Sequence, residues 1–254
     1  MSAFGDWIHA AGTARLGLWQ ALATPYTAEI CAQAGYDWLL FDGEHAPNTL
    51  QTLLAQLQAA APYPVHPIAR VPVGDPVHIK QYLDIGFQTL LLPMVDSAAQ
   101  AAALVSASRF PPRGTRGVAS ATSRVSRFGA DTSYLRQAHE RVALIAQIES
   151  RAALDAVDAI AAVEGIDALF IGPADLAASL GHLGDPRHAD VQAAIETARA
   201  AIAAAGKPAG IFALDLADAR AKIAQGFAFV SIGTDVGLLA NGARALLRSA
   251  TETA

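Results

Sequence analysis

Two apolar runs that each stop abruptly at a carboxylate restrict what this chain can fold into. They are Ala143-Leu144-Ile145-Ala146-Gln147-Ile148-Glu149 and Ala168-Leu169-Phe170-Ile171-Gly172-Pro173-Ala174-Asp175. Runs this short, bounded by polar residues, read as strands buried on both faces. Between them, Arg151 to Val163 has helical spacing, with Leu154, Val157, Ile160 and Ala161 on one stripe. Strand, helix and strand make a βαβ unit, so the two strands are parallel and Glu149 and Asp175 emerge at the same sheet edge.

The same unit recurs along the chain. Further strands are expected over Leu16 to Trp19, Tyr36 to Phe41, Val65 to Ala69, Thr89 to Met94, Pro208 to Phe212 and Phe229 to Gly233. Helices between them are announced by Thr24-Pro25, Asn48, Asp75-Pro76, Ser97 and Asp215, and a short helix opens the chain over Phe4 to Ala11. A turn of helix is expected from Leu176 and a longer helix from Arg187 to Ala205. Eight βα units over residues 1–254, with no composition break, predict one (β/α)₈ barrel domain. An open doubly wound sheet is the alternative, weakened by the lack of a Gly-x-Gly-x-x-Gly turn or a P-loop. One long irregular stretch, Phe110 to Tyr134, interrupts the pattern, and loops of that length serve as lids or interface elements.

Composition narrows the partners. The chain is 53% hydrophobic and only 16% charged, so it can bury an extensive core, with surplus apolar surface left for subunit contacts. A net charge of −5 gives no support for nucleic acid or an anionic membrane as a partner. The longest uncharged stretch, Ala46 to Val65, carries Asn48, three glutamines and three prolines and is no membrane span. The start of the chain lacks the basic and apolar segments of a signal peptide, and Cys31 is the lone cysteine. A cytoplasmic protein is expected.

In a barrel of this kind the chemistry sits at the C-terminal ends of the strands. Those ends carry Trp19 and Gln20, Asp42 to His45, Arg70, Pro93, Gln147 and Glu149, Gly172 to Asp175, Phe212, and Ser231. Glu149 and Asp175 either cap the helices that follow or hold a divalent metal. The metal is preferred because both apolar strands end at one acid, and two carboxylates plus water suit Mg²⁺ or Mn²⁺, with Co²⁺, Ni²⁺ or Zn²⁺ also fitting. Gly172, Pro173 and Ala174 add little bulk, so backbone N–H groups there can approach a ligand carboxylate. Arg70 either pairs with Asp42 or Glu44 or holds an anionic substrate; the second reading is preferred. His45 is a candidate for proton transfer, and Trp19 and Phe212 are candidates for a pocket wall or for the core. His9, His66, His78, His139, His182 and His188 receive no function. Lys80, Lys207 and Lys222 all fall away from the strand ends, which excludes imine chemistry. Asp215 and Asp235 follow the last two strands and argue against a phosphorylated substrate.

Phe41-Asp42-Gly43-Glu44-His45, Ile68-Ala69-Arg70-Val71, Leu91-Leu92-Pro93-Met94, Arg116-Gly117, Gln147-Ile148-Glu149 and Phe170-Ile171-Gly172-Pro173-Ala174-Asp175-Leu176 together resemble the HpcH/HpaI class II pyruvate aldolases. The resemblance spans nearly the whole chain and implies a (β/α)₈ barrel, a homo-hexamer built as a trimer of dimers, and a last helix exchanged between subunits. It implies metal ligation by Glu149 and Asp175. Donors to the 2-oxo acid would come from Arg70, Gln147 and the backbone of Ala174 and Asp175. It gives His45 the proton-transfer role and makes Asp84 an acid that orients this histidine from a neighbouring subunit. The implied substrates are a 4-hydroxy-2-oxo acid, or in reverse a 2-oxo acid and an aldehyde. Phe212 replaces a smaller aliphatic residue of several members, which points to small hydroxylated partners such as hydroxypyruvate with a sugar-like aldehyde. Arg124 is a candidate for an acceptor carboxylate. A malyl- or citramalyl-CoA type lyase and a non-catalytic binding barrel are the rival readings.

Overall fold

The computed structural model describes residues 3–10 and 12–252. Eight parallel strands close into one barrel in chain order: β1 (Arg15–Gln20), β2 (Trp38–Asp42), β3 (His66–Arg70), β4 (Thr89–Leu92), β5 (Ala143–Ile148), β6 (Ala168–Ile171), β7 (Ala209–Phe212) and β8 (Phe229–Thr234). The β1–β8 pairing completes the ring, so no edge is left and the open-sheet alternative falls. Burial on both faces explains the near-continuous apolar runs: β2, β4, β5 and β6 are buried at every position.

Two cores result. Leu39, Leu90, Leu144, Leu169 and Val230 point outward against the helices, whereas Trp38, Leu40, Ile68, Leu91, Ile145, Phe170 and Phe229 fill the barrel. Gly17 on β1 leaves room for this filling, because a Cβ there would lie 2.0 Å from the Trp38 indole. Helix α1 (Ala3–His9) closes the N-terminal mouth, with the Phe4 ring edge-on to Phe229 at 5.9 Å. Part of the stretch expected to be helical, Ala11, lies outside the described residues.

The outer ring comprises α2 (Pro25–Gln33), α3 (Leu50–Ala60), α4 (Pro76–Asp84), α5 (Ala98–Ser108), α6 (Tyr134–Arg141), α7 (Arg151–Asp155), α8 (Val157–Ala161), α9 (Pro173–Ser179), α10 (Ala189–Ala204), α11 (Leu216–Ala224) and α12 (Asp235–Thr251). Four local expectations change. Thr49, not Asn48, caps α3 through a reciprocal box with Thr52, while the Asn48 amide donates to the Asp42 carbonyl at 2.7 Å. The single helix expected over 151–163 is split at Ala156, whose ψ of 8° breaks the hydrogen-bond ladder. Helix α9 starts at Pro173, three residues early, because proline suits the first helical position. Helix α10 begins at Ala189 with His188 as its cap.

The long stretch from Phe110 also finds its place. It leaves α5 and passes through α6 into the start of β5, at the N-terminal end of the barrel, so it cannot be a lid over its own chain's C-terminal mouth. There the buried Arg116 guanidinium donates to Asp84 at 2.6 Å and to the Tyr134 hydroxyl at 3.0 Å, and lies over the Phe110 ring at 4.5 Å. No helix among the described residues is long and apolar enough to cross a membrane.

Candidate active site

Two adjacent strand pairs, β2–β3 and β5–β6, separated by β4, deliver the polar set. Asp42 and Arg70 are register partners across β2 and β3, and Gln147 faces Phe170 across β5 and β6. Glu149 follows β5, and Gly172 joins β6 to the first turn of α9, where Asp175 sits. The result is a cavity of about 330 Å³ lined by Trp19, His45, Arg70, Gln147, Phe170, Gly172, Pro173, Ala174, Asp175, Phe212 and Leu214. Of the residues expected at the strand ends, Trp19, His45, Arg70, Gln147, Gly172 to Asp175 and Phe212 line it, with Asp42 and Glu44 held against Arg70 and Glu149 alongside; Ser231 is instead buried against the Gly233 carbonyl, and Asp84 does not reach the cavity. It ends α4 at the opposite face and is bound to Arg116 within its own chain. Arg124 is also at that far end, donating to the Ile85 carbonyl at 3.2 Å.

Arg70 is more heavily committed than its sequence position suggests. Its Nε and Nη2 donate to the two oxygens of Asp42 at 2.8 and 2.7 Å, and Nη1 lies 2.6 Å from Glu44 Oε2. The guanidinium also lies 4.4 Å from the Trp19 ring centroid, a buried cation–π contact. The acid-pairing reading of Arg70 therefore holds, and the residue still lines the cavity. Asp42 further accepts the backbone N–H of Glu44 at 3.0 Å and of His45 at 3.4 Å, which ties the histidine loop to the arginine. The His45 ring is 69% exposed and 3.9 Å from Glu44, free to turn toward the cavity.

Glu149 is buried, its Oε1 accepting the Met94 N–H at 2.9 Å and its Oε2 the Gln147 side-chain amide. Met94 holds a left-handed backbone (φ 52°) to make that contact, strain of the kind that concentrates at functional sites. Burial, reinforced by the Asp175 and Glu44 carboxylates, pushes the Glu149 carboxyl up to about 7 against the Met94 N–H and Arg70. Burial likewise raises Glu44, with Arg70 and His45 acting in the opposite direction. A Cβ on Gly172 would come within 2.6 Å of Glu149 Oε2 and 3.0 Å of Gln147 Nε2, so glycine keeps this corner open.

Four carboxylates thus share this corner with one guanidinium: Asp42 and Glu44 pair with Arg70, and Glu149 and Asp175 repel each other beside them. The surplus of negative charge and an all-oxygen donor set fit a hard divalent cation. Trp19 and Phe212 settle as wall residues, their rings T-shaped at 5.4 Å. Phe170 and Leu214 complete that wall. Phe170 belongs to a run that reads only as core, and Leu214 follows the strand with no polar signal. The two late acids turn out to be architectural: Asp235 accepts the backbone N–H groups of Ala21 and Leu22, and Asp215 caps α11 and pairs with Arg187.

Residues 15–242 match the model of the family described as HpcH/HpaI aldolase/citrate lyase. A hydroxypyruvate/pyruvate aldolase of Deinococcus radiodurans is 58% identical over 240 residues, covering 94% of this chain and 87% of the relative. A 4-hydroxy-2-oxo-heptane-1,7-dioate aldolase of Salmonella heidelberg is 51% identical, over 96% of this chain and 93% of that one. The crystal structure of an HpcH/HpaI aldolase/citrate lyase family protein from Burkholderia cenocepacia superposes with a TM-score of 0.95 at 41% identity, covering 99% of this chain and all of the other. The barrel, the acid-tipped fifth and sixth strands and these likenesses agree: the chain belongs to the HpcH/HpaI aldolase/citrate lyase family.

Proposed function

We propose that this protein is a divalent-metal-dependent aldolase. It cleaves 4-hydroxy-2-oxo acids reversibly into pyruvate or hydroxypyruvate and an aldehyde. The observation that carries the reading is the buried Glu149 beside Asp175 in a cavity whose one arginine is already matched by two other acids. Glu149 and Asp175 would hold the metal, Mg²⁺ or Mn²⁺ by the hardness of the oxygen donors. When bound, it supplies Lewis-acid polarisation of the 2-oxo acid.

The chain's own groups do the rest. The N–H groups of Ala174 and Asp175 lie in the first turn of α9, where no intrahelical carbonyl reaches them, and they receive the substrate carboxylate. Arg70, locked in orientation by Asp42, Glu44 and Trp19, directs its remaining N–H groups at the developing negative oxygen. In cleavage, His45, or a water it positions, takes the proton of the 4-hydroxyl as the C3–C4 bond breaks. The electron pair stays on C3, the aldehyde departs, and C3 is then protonated. Condensation runs the same steps backwards. Phe212 against Trp19 narrows the wall and favours small hydroxylated aldehydes with hydroxypyruvate as a donor; relatives carrying the name hydroxypyruvate/pyruvate aldolase support that choice.

Assembly belongs to the same proposal. In α12 Asp235 is the buried residue, while Leu246 and Leu247 are 75% and 66% exposed. A helix with an uncovered apolar face belongs against a neighbouring barrel, which supports exchange of this helix between subunits; a cytoplasmic homo-hexamer is the assembly proposed. The same assembly would bring Asp84 to a neighbour's His45. The decisive experiment is release of pyruvate or hydroxypyruvate from 4-hydroxy-2-oxo acids by EDTA-treated protein, with and without Mg²⁺ or Mn²⁺. Turnover restored only by metal is the expected result; turnover that survives without metal overturns the assignment of Glu149 and Asp175.

A further inference from the structure

We propose that His182, His188 and Asp190 form a second metal site, outside the barrel mouth, for a nitrogen-preferring dication such as Co²⁺, Ni²⁺ or Zn²⁺. Among the described residues, this is the trio of histidine and acid side chains whose ligand atoms all lie within 4.8 Å of one another. His182 Nε2 is 3.3 Å and His188 Nδ1 3.6 Å from the same Asp190 oxygen.

The local chain builds this cluster. His182 lies in the loop leaving α9, His188 caps α10, and Asp190 occupies the first turn of α10. Gly181 and Gly184 take left-handed conformations (φ 90° and 80°) that wind the loop back on itself. The His182 N–H donates to the Ala177 carbonyl at 2.8 Å, and the Asp185 and His188 N–H groups close two further turns at 2.9 and 3.1 Å. The two imidazoles end up stacked, centroids 3.6 Å apart and planes 16° from parallel.

The electrostatics ask for a cation. Asp190 donates its backbone N–H to His188 Nδ1 at 3.2 Å, so that nitrogen is unprotonated beside a carboxylate oxygen, and an ion bound there would take its lone pair in place of the Asp190 N–H. The nearest arginine in sequence, Arg187, is committed to Asp215 at 2.7 Å, and among the described residues no lysine or arginine pairs with Asp190. Stacked rings aim their lone pairs side by side, so a shared ion requires one ring to turn about its Cβ–Cγ bond. Side-chain exposures of 24% and 38% leave room for that turn. Two imidazoles and one carboxylate favour Zn²⁺, Ni²⁺ or Co²⁺ over Mg²⁺, whereas the oxygen-only pair Glu149 and Asp175 also suits Mg²⁺ or Mn²⁺. The bound ion would clip the α9–α10 loop to α10, two turns of chain beyond the segment that carries Asp175.

Tag-free protein is dialysed against Co²⁺ in the presence of a large excess of Mg²⁺, and retained Co²⁺ per chain is counted. Wild type is expected to retain about one Co²⁺ per chain, with a visible d–d spectrum of nitrogen coordination. His182→Ala and Asp190→Asn both leave the helix cap at His188 intact; each is expected to weaken retention at least ten-fold with Mg²⁺-supported aldolase turnover unchanged. Complete displacement of Co²⁺ by Mg²⁺ from wild type overturns the site, as does retention that both folded variants share with wild type. The spectrum of wild type decides the matter even if a variant fails to fold: oxygen-only coordination of the retained ion also overturns it.

Discussion

Arg70 grips Asp42 through a two-point fork, Nε to Oδ1 at 2.8 Å and Nη2 to Oδ2 at 2.7 Å, across neighbouring strands of the barrel. The fork does two jobs. It fixes the plane of a guanidinium that lies over Trp19, and it neutralises an acid that also accepts the His45 N–H. The arginine and the histidine loop are therefore positioned by one carboxylate.

Lysine cannot reproduce that fork. Arg70→Lys is expected to fold and to lose roughly 10²-fold or more in kcat, the scale of deleting one transition-state donor. Arg70→Ala leaves Asp42 buried without its partner and should cost about 3–5 kcal/mol of stability. Steady-state kinetics and urea unfolding measure the two effects; equal activity in Arg70→Lys and wild type would rule out the oriented fork.

Removing the negative charge of either proposed metal ligand should abolish metal-supported turnover. Glu149→Gln and Asp175→Asn are expected to weaken Mg²⁺ binding by more than the roughly 10–100-fold that losing an outer partner costs. Isothermal titration calorimetry reads this directly, and unchanged affinity in both variants would defeat the assignment.

Glu149 also sets a pH dependence. Its carboxyl is raised from 4.5 to about 7, chiefly by burial. Between those values the folded protein keeps a proton that the unfolded chain has released, so metal-free stability should fall as pH rises across that window. The metal needs the carboxylate, so its binding near pH 6 should release a proton. Thermal unfolding in EDTA and calorimetry in buffers of different ionisation enthalpy test the two halves. A Glu149→Gln protein that keeps the same pH slope as wild type would contradict the first.

Gly172 has φ −97°, which any residue can adopt, so glycine is required there by space alone. Gly172→Ala should keep the start of α9 and the overall stability while its methyl group crowds Glu149 and Gln147. Metal affinity is expected to drop about ten-fold or more, in the range of other near-ligand disturbances. Native-like affinity in a folded Gly172→Ala protein would show that the corner is not packed as described.

The exposed leucines of α12 carry the assembly prediction. Leu246→Glu combined with Leu247→Glu should leave the barrel folded and reduce the particle below a hexamer in analytical ultracentrifugation. An unchanged hexamer would mean that this face is not the exchanged surface.

Much of this was legible in the sequence because a barrel of parallel strands writes itself plainly. Strands buried on both faces must be apolar throughout, so each run and the polar residue that ends it stand out, as with Glu149 after Ile148. Strand order then places those ends on one rim without any knowledge of side-chain positions. Local geometry was harder to read where two candidates compete, as Asn48 and Thr49 did for the α3 cap, because one hydrogen bond decides the outcome.

The apolar runs alone specify the barrel and place most of the rim residues at its strand ends. How those residues divide their bonds follows only from the packed fold. Arg70 has acids two residues apart on one loop, and only the packed barrel shows that it holds both while stacking on Trp19 from a third strand. Asp84 and Arg124 carry charges that look functional, and the fold sends both to the opposite end of the barrel, to Arg116 and the Ile85 carbonyl. His182 and His188 looked scattered and meet because two left-handed glycines turn the chain between α9 and α10. Periodicity is a property of the chain, whereas pairing among charges depends on distances that only folding creates.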